Sequence, residues 1–233
     1  MLEHARAAGV APATVIDAGA ADGTPELYET FSGARHFLVE PLEEFRPKLE
    51  LLKQRVAGLE YRIAAASREQ GEMVMNVHPD LYGSSIYLES EDSDVNGAPR
   101  RVEAVPLDDL CAHLPGPYLI KVDVQGAELV VLGGAEKILA NAVYVVLETS
   151  LFETYKGAPS FADVVRFMQE RGFVLYDLAG LSHRPLDGAL AQVAAAFVPE
   201  KSPLRKDHAW ATAEQRRMQN RHFEEDLRSR GVR

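Results

Sequence analysis

The sequence predicts an α/β fold in which a mostly parallel sheet of seven strands carries helices on both faces. Strand-like and helix-like segments alternate along most of the chain, which is typical of that architecture. The first apolar strand, at 14–19, leads into a glycine-containing turn and then a helical pattern at 24–32. The last two strands, at 174–178 and 193–198, are joined by a short polar link that favours antiparallel pairing.

Two further strands are expected in the first half of the chain. A strand at 36–40 ends before Pro41, which cannot continue it. An amphipathic helix follows, because apolar residues recur at steps of three and four: Leu42, Phe45, Leu49, Leu52 and Val56. The next strand is predicted at 61–67.

The second half resumes the alternation. A fourth main strand is predicted at 118–126, and one helix is expected after it, as far as residue 139. The fifth strand, at 143–147, ends at Glu148. Ser160 is the expected N-cap of a helix that continues to Gly172.

The chain is most simply one domain, at 1–200, followed by a charged helical tail at 201–233. With 233 residues and 46% hydrophobic composition it can bury a full core. An insertion at about 70–110 interrupts the alternation. It contains strand-like segments but no strong helical pattern, so we expect it to form a lid or a wall for the substrate.

Composition excludes several classes of protein. No apolar run reaches the roughly 18 residues of a membrane span, and the N-terminus lacks a signal peptide's apolar region, so a cytoplasmic protein is predicted. The single cysteine, Cys111, excludes an internal disulfide framework and a cysteine-based zinc site. Cys111 follows two aspartates in a segment with surface character and is interpreted as incidental.

Charge is distributed unevenly along the chain. The tail at 201–233 contains nine Lys or Arg and five Asp or Glu residues, whereas the rest contains 16 basic and 30 acidic residues. An acidic body argues against nucleic acid as the main ligand. The basic tail could dock onto that body, onto a second subunit of a homo-oligomer, or onto an anionic partner.

The turn after the first strand has the composition of a nucleoside-binding loop. Its residues are Asp17, Gly19, Ala20, Asp22 and Gly23, between a buried strand and a helix N-terminus. The glycine spacing differs from that of dinucleotide binders. The two acids would repel a pyrophosphate but suit a cationic ligand. An ordinary strand-to-helix connection is the alternative interpretation.

Carboxylates also follow the neighbouring strands. Glu40 lies about 20 residues beyond the turn, where an acid can accept hydrogen bonds from ribose hydroxyls. Asp123 and Lys121 share one face of the fourth strand, and the lysine requires an acidic partner. Because ligands of open α/β sheets bind at the carboxyl ends of the strands, we expect four acids to meet there: Asp17, Glu40, Asp123 and Glu148. We call these four residues the carboxylate rim. A structural ion-pair cluster is the alternative.

The motifs together resemble the FkbM family of S-adenosylmethionine-dependent methyltransferases. The resemblance rests on Val-Ile-Asp-Ala-Gly-Ala-Ala-Asp-Gly, Leu-Val-Glu-Pro, Gly-Ser-Ser-Ile, Ile-Lys-Val-Asp-Val-Gln-Gly-Ala-Glu and Val-Leu-Glu, and covers about residues 14–180. Gln125 departs from the glutamate usual in the family. The resemblance implies a class I methyltransferase, Rossmann-like sheet with the last strand antiparallel, and transfer of a methyl group to a hydroxyl of a sugar or natural product.

The resemblance also implies roles for individual residues. S-adenosylmethionine would be held by the turn from Asp17 to Gly23, by Glu40 with Pro41, by Ala65 beside the adenine, and by Asp123. Asp123 is the first candidate for a catalytic base and His78 the second. Residues that could contact a small-molecule or saccharide acceptor are Ser84, Ser85 and Glu148. No metal site is predicted.

Two other functions remain open on the sequence alone. A strand, glycine turn and acid also suit an NAD-dependent oxidoreductase, although the third glycine is missing. A non-catalytic, methyltransferase-like binding module that recruits a partner through the basic tail is the second alternative.

Overall fold

The computed structural model describes residues 1–91 and 96–231. The chain divides into two compact units, Met1–Glu200 and a second unit that begins at Lys201. The first unit contains both sheets and seven of the helices. The second contains a short 3-10 helix, Pro203–Arg205, and the helix Ala213–Ser229, which is capped by Thr212.

Seven strands form the large sheet of the first unit, in the order β3-β2-β1-β7-β8-β10-β9. Their bounds are β1 Thr14–Ala18, β2 Arg35–Glu40, β3 Leu59–Ile63, β7 Tyr118–Val122, β8 Ala142–Ser150, β9 Phe173–His183 and β10 Leu190–Pro199. The pairs from β3 to β8 are parallel. Strand β10 is antiparallel to both of its neighbours. The predicted fold class, including the antiparallel last strand, is confirmed.

Helices precede the first strand, lie between the strands and follow the last one. They are α1 Leu2–Ala7, α2 Pro25–Thr30, α3 Arg46–Arg55, α4 Leu107–Leu110, α5 Glu128–Leu132, α6 Glu136–Leu139, α7 Phe161–Glu170 and α8 Ala213–Ser229. Helix α7 begins with a capping box in which Ser160 and Asp163 bond each other's backbone N–H groups. In the described part of the chain, no helix is both long and apolar enough to span a bilayer.

Side chains alternate along the central strands β1 and β7, so apolar residues face the core and polar residues face the other side of the sheet. Ile16, Ala18, Ile120 and Val122 point into the main apolar cluster, together with residues of α5, α6 and α7. Successive side chains of a strand point to opposite faces. The intervening Asp17 and Lys121, which the register sets side by side, therefore share the other face of the sheet.

The strand predicted at 61–67 is in fact two strands in different sheets. Strand β3 ends at Ile63, and β4, Ala65–Ser67, pairs with β6 in a small three-stranded sheet. The chain turns at Ala64, whose N–H donates to the Glu40 carbonyl. The sequence at this point is a run of small residues, and nothing in it indicates that the chain passes from one sheet to another.

The small sheet is built mainly from the insertion. Its strands are β5, Gly71–Val77, and β6, Ala98–Pro106. The two pair antiparallel along their length. Part of the insertion, residues 92–95, lies outside the described residues.

The single helix predicted up to residue 139 is also divided. Helices α5 and α6 are separated at Gly133 and Gly134. A Cβ on Gly134 would lie 2.0 Å from the Ser67 carbonyl oxygen, so the chain bends where the small sheet packs against it. Asp108 accepts the N–H groups of Lys137 and Ile138 at 3.0 and 2.9 Å and begins the second helix.

Cys111 lies in the core, which corrects the expectation of a surface-like segment. It is 0% exposed and belongs to the main apolar cluster. The neighbouring aspartates mark the short helix α4, whose inner side carries Leu107 and Cys111. Burial, with a smaller contribution from Asp108, raises the pKa of the Cys111 thiol to about 12.

We expect the native protein to resist thiol reagents, because neither solvent nor the thiolate form is available at Cys111. Labelling with Ellman's reagent at pH 8 should be at least ~100-fold slower in buffer than in denaturant, where one thiol per chain reacts. Stoichiometric labelling of the native protein within minutes would contradict this burial.

Candidate functional site

The turn after β1 depends on backbone conformations that favour glycine. Gly19, Ala21 and Gly23 have φ values of 77°, 47° and 101°. The N–H groups of Gly19 and Ala20 both donate to the Val39 carbonyl, at 2.9 and 3.2 Å. A Cβ on Gly19 would lie 1.9 Å from the Asp123 carbonyl oxygen, so glycine lets β1 and β7 close together at this edge.

Asp17 supports this turn from below. Its carboxylate is 0% exposed and accepts the Tyr28 hydroxyl at 2.6 Å and the Lys121 ammonium at 3.2 Å. The same Tyr28 hydroxyl accepts the Thr24 N–H at 2.9 Å, at the end of the turn. Asp17 therefore links the start of α2 to the middle of the sheet.

The Lys121 ammonium is a positive charge that lies between two acids of the carboxylate rim. Its ammonium lies 3.2 Å from an oxygen of Asp17 and 3.5 Å from one of Asp123. Burial alone would lower the pKa of Lys121, but the two carboxylates overcome it and raise this pKa to about 12. The ammonium therefore stays charged and keeps both acids in place.

Glu40 links the turn after β1 to the segment that follows β2. Its two carboxylate oxygens accept the N–H groups of Ala21 and Leu42, each at 2.9 Å. Burial raises the pKa of Glu40 to about 7, and the two backbone donors limit the rise. Glu40 therefore holds its proton to a higher pH than an ordinary glutamate does.

A cleft opens at the carboxyl ends of β1, β2 and β7. Its empty volume is about 390 Å³, including open solvent. Predicted site residues that line it are Gly19, Glu40, Pro41, Ser84 and Asp123. Its other walls are mainly apolar and come from the turn after β1, the segment between β2 and α3, the insertion and the loop after β7: Ala21, Leu42, Phe45, Met75, Leu81, Tyr82, Val124 and Gln125. We call it the first cleft.

A second cavity adjoins the first cleft at Gln125. It has an empty volume of about 310 Å³ and a largely polar lining. The residues are Gln125, Gly126, Glu128, Glu148, Ser150, Phe152, Thr154, Tyr155, Ala158, Pro159 and Gln192. Burial, followed by the charge of Asp123, raises the pKa of Glu148 in this cavity to about 8.

Gln125 connects the two spaces. Its side-chain nitrogen donates to Asp123 at 3.0 Å and to Glu148 at 3.2 Å. The Tyr155 hydroxyl donates to its side-chain oxygen at 3.0 Å. Glu128, considered from the sequence as a partner of Lys121, instead accepts the N–H groups of Val124 and Gly126 and shapes the loop.

The remaining predicted residues surround these spaces without lining them. Ser85 donates to the Gln125 carbonyl at 2.6 Å and so ties the insertion to the loop after β7. His78 contacts Asp80 at 2.6 Å. Ala65 is 4% exposed in β4. Ala20, Asp22 and Gly23 complete the turn, and a Cβ on Gly23 would lie 2.3 Å from Leu52 of α3.

Sequence reasoning missed the aromatic residues of the site. Phe45 was assigned only to the apolar face of a helix, yet its ring packs edge-on against Tyr82, 5.3 Å between centroids, in the wall of the first cleft. Tyr28 and Tyr155 act through single hydroxyl groups. No local pattern distinguishes such a tyrosine from one that packs in the core.

Residues 17–175 match the methyltransferase FkbM domain. The chain belongs to this family. The FkbM match covers the quoted motifs from Asp17 onwards and includes all four residues of the carboxylate rim. It confirms the family resemblance and makes this protein an S-adenosylmethionine-dependent methyltransferase. No match was found among curated proteins.

Solved structures of other methyltransferases share low identity with this FkbM protein. Magnesium protoporphyrin IX methyltransferase from Synechocystis PCC 6803, with bound S-adenosylmethionine, is 12% identical at a TM-score of 0.45, over 85% of this chain and 80% of that one. Precorrin-6y C5,15-methyltransferase from Geobacter metallireducens is 11% identical at a TM-score of 0.46, over 84% of this chain and 85% of that one. The 1,6-didemethyltoxoflavin-N1-methyltransferase of Burkholderia thailandensis is 16% identical at a TM-score of 0.43, over 85% of this chain and 75% of that one.

The residues of the first cleft fit the cofactor of the FkbM family. Apolar walls suit a purine ring, and carboxylates suit both ribose hydroxyls and cationic groups. Within residues 1–91 and 96–231, no cluster of three or more His, Cys, Asp or Glu is arranged to hold a metal ion.

We expect Gly19→Ala to lower the free energy of unfolding by about 2–4 kcal/mol, since alanine would both occupy a left-handed conformation and clash with the Asp123 carbonyl. Chemical denaturation measures the change. Gly33→Ala is the matched control, because a Cβ at Gly33 meets nothing within 4 Å, and its effect should stay within about 0.5 kcal/mol. Equal stability of the two variants would be inconsistent with the close approach.

Proposed function

We propose that this protein methylates a hydroxyl group of a saccharide or natural-product acceptor. The observation that supports this most directly is the polar second cavity, which meets the first cleft at a pair of carboxyl groups, Asp123 and Glu148. An alcohol is a poor nucleophile at neutral pH, so a nearby proton acceptor assists its attack. Hydroxyl, amide and carboxyl groups line the cavity and suit an acceptor rich in hydroxyls.

The space beyond the second cavity suits an acceptor larger than one sugar ring. A broad open groove shares Phe152, Thr154 and Gln192 with the cavity and has an empty volume of about 1460 Å³. Its walls combine acidic groups with the exposed apolar side chains of Phe152 and Leu186. Such a surface can hold the remainder of an extended acceptor while one hydroxyl enters the cavity.

The first cleft would hold the cofactor. S-adenosylmethionine supplies an electrophilic methyl group on a positively charged sulfur. Glu40 would accept hydrogen bonds from ribose hydroxyls, and Asp123 would attract the cationic end. Asp17 is fully buried, so it would act by supporting the turn through Tyr28 rather than by direct contact. Most of the rate enhancement would come from aligning the reacting groups.

The insertion would serve as a wall of the active site. Met75, Leu81, Tyr82 and Ser84 line the first cleft, and Ser85 holds the loop after β7 through the Gln125 carbonyl. The unit of residues 1–200 would therefore contain the whole catalytic site.

We expect Glu40→Ala to weaken binding of S-adenosylmethionine by about 10- to 100-fold, since a hydrogen bond to a charged group contributes about 1.5–3 kcal/mol. Isothermal titration calorimetry measures this, with thermal unfolding as a check on folding. Glu43→Ala is the matched control, because Glu43 is exposed and pairs only with Arg46 among its recorded contacts. Unchanged affinity in the Glu40 variant would exclude this role.

The acceptor class is tested by the bond that forms. With a methyl-labelled cofactor and a panel of hydroxylated saccharides and polyketides, we expect a product that carries the label as an ether, identified by mass spectrometry and NMR. Label on nitrogen or carbon would refute O-methylation. Tight cofactor binding without turnover on any acceptor, combined with loss of partner binding after deletion of 201–233, would instead support the non-catalytic alternative.

A further inference from the structure

Gln125 is held in one orientation between the two spaces of the site. Its backbone has a φ of 55°, and its carbonyl accepts the Ser85 hydroxyl at 2.6 Å. The Tyr155 hydroxyl donates to the side-chain oxygen at 3.0 Å. Burial, Glu89 and Glu148 raise the pKa of Tyr155, so this hydroxyl keeps its proton. The reverse orientation of the amide would turn its oxygen towards two carboxyl groups.

In this orientation one NH2 group serves two acids. It donates to Asp123 at 3.0 Å and to Glu148 at 3.2 Å, so the two acids lie on either side of one nitrogen. Two carboxylates this close repel each other, and a proton on one of them relieves the repulsion.

The surroundings assign the proton to Glu148. Asp123 also contacts the Lys121 ammonium, at 3.5 Å. The charged or titratable groups that face Glu148 are Asp123, Lys121, Glu128 and Tyr155. Burial and then Asp123 raise the pKa of Glu148 to about 8, despite the opposing effect of Lys121.

We propose that Gln125 is a positioning residue that holds Asp123 and Glu148 as a proton-sharing pair, and that Glu148 is the group that accepts the proton of the acceptor hydroxyl. The second part rests on the proposed O-methylation. It replaces Asp123 as the first candidate for the base, since Asp123 is retained by Lys121 and by Gln125 whereas Glu148 faces the second cavity.

The charge of the bound cofactor controls when the pair can act. A positive charge in the first cleft favours the doubly ionised pair, so the shared proton leaves to solvent when the cofactor binds. The acceptor O–H bond then breaks as its proton passes to Glu148. The hydroxyl oxygen forms a bond to the methyl carbon, and the electron pair of the broken S–C bond stays on sulfur. The proton on the pair restores the starting state.

The first test is the titration of Glu148, which requires no acceptor. Carboxyl 13C NMR of the protein alone, with Glu148→Gln to assign the signal, should give a midpoint at least two pH units above that of an ordinary glutamate. Adding S-adenosylmethionine should lower the midpoint by one unit or more. S-adenosylhomocysteine, which lacks the sulfonium charge, should lower it less.

Substitutions around the amide test the positioning role. Gln125→Glu replaces the bridging donor by a third acid and should raise the Glu148 midpoint by about one unit or more, an effect that a purely structural role would not produce. Tyr155→Phe releases the amide and should shift the midpoint in the same direction by less. Tyr144→Phe is the matched control, because the Tyr144 hydroxyl has no hydrogen-bond partner among the described residues.

Calorimetry in buffers of different ionisation enthalpy provides a second measurement. At pH 7, binding of S-adenosylmethionine should release protons from Glu148, in addition to any release from Glu40. The contribution of Glu148 should be absent in the Glu148→Gln variant. An ordinary Glu148 midpoint, with the same proton release in both proteins, would overturn the inference while cofactor binding and O-methylation stand. The other outcome is a shared proton combined with methyl transfer to nitrogen or carbon. It would overturn both the proposed function and the role of Glu148 as the base, but the proton-sharing pair of Asp123 and Glu148 would still be supported.

Discussion

The site depends on one cation, the Lys121 ammonium, held between the carboxylates of Asp17 and Asp123. A lysine in a central parallel strand is costly unless it is paired, because both faces of such a sheet are covered. Pairing with Asp17 also fixes the neighbouring strand, since the register sets these two residues side by side. The contact that relieves the buried charge therefore also positions the acids used by the site.

The acids beyond this ion pair have a different electrostatic character. Burial raises the pKa values of Glu40, Glu128 and Glu148 to about 7, 7 and 8, from an ordinary value of 4.5. An acid whose pKa is raised by folding contributes stability that is fully present below pH 4.5 and is lost as pH rises through the folded value. Above pH 8 the protein without ligand therefore carries unfavourable negative charge, which a cationic ligand offsets.

The two spaces divide the chemistry of the FkbM protein. Apolar groups dominate the lining of the first cleft, and hydrogen-bonding groups that of the second cavity, with the Gln125 amide at the boundary. In the proposed function, a nucleoside and a hydroxylated acceptor make opposite demands on a protein surface, and separate linings would let both bind. The loop after β7 meets both demands because Glu128 and Ser85 hold its backbone from two sides.

The amino-acid sequence alone predicted a seven-stranded, mostly parallel sheet with acids at the carboxyl ends of its strands, because hydrophobic periodicity, glycine at turns and acids at strand ends are local signals. It also determined the family. Only the tertiary structure decided that β3 and β4 belong to different sheets, that Cys111 is buried and that the Gln125 amide bridges two acids. These features depend on which distant segments meet, and no residue type or spacing encodes the position of a single hydroxyl or amide.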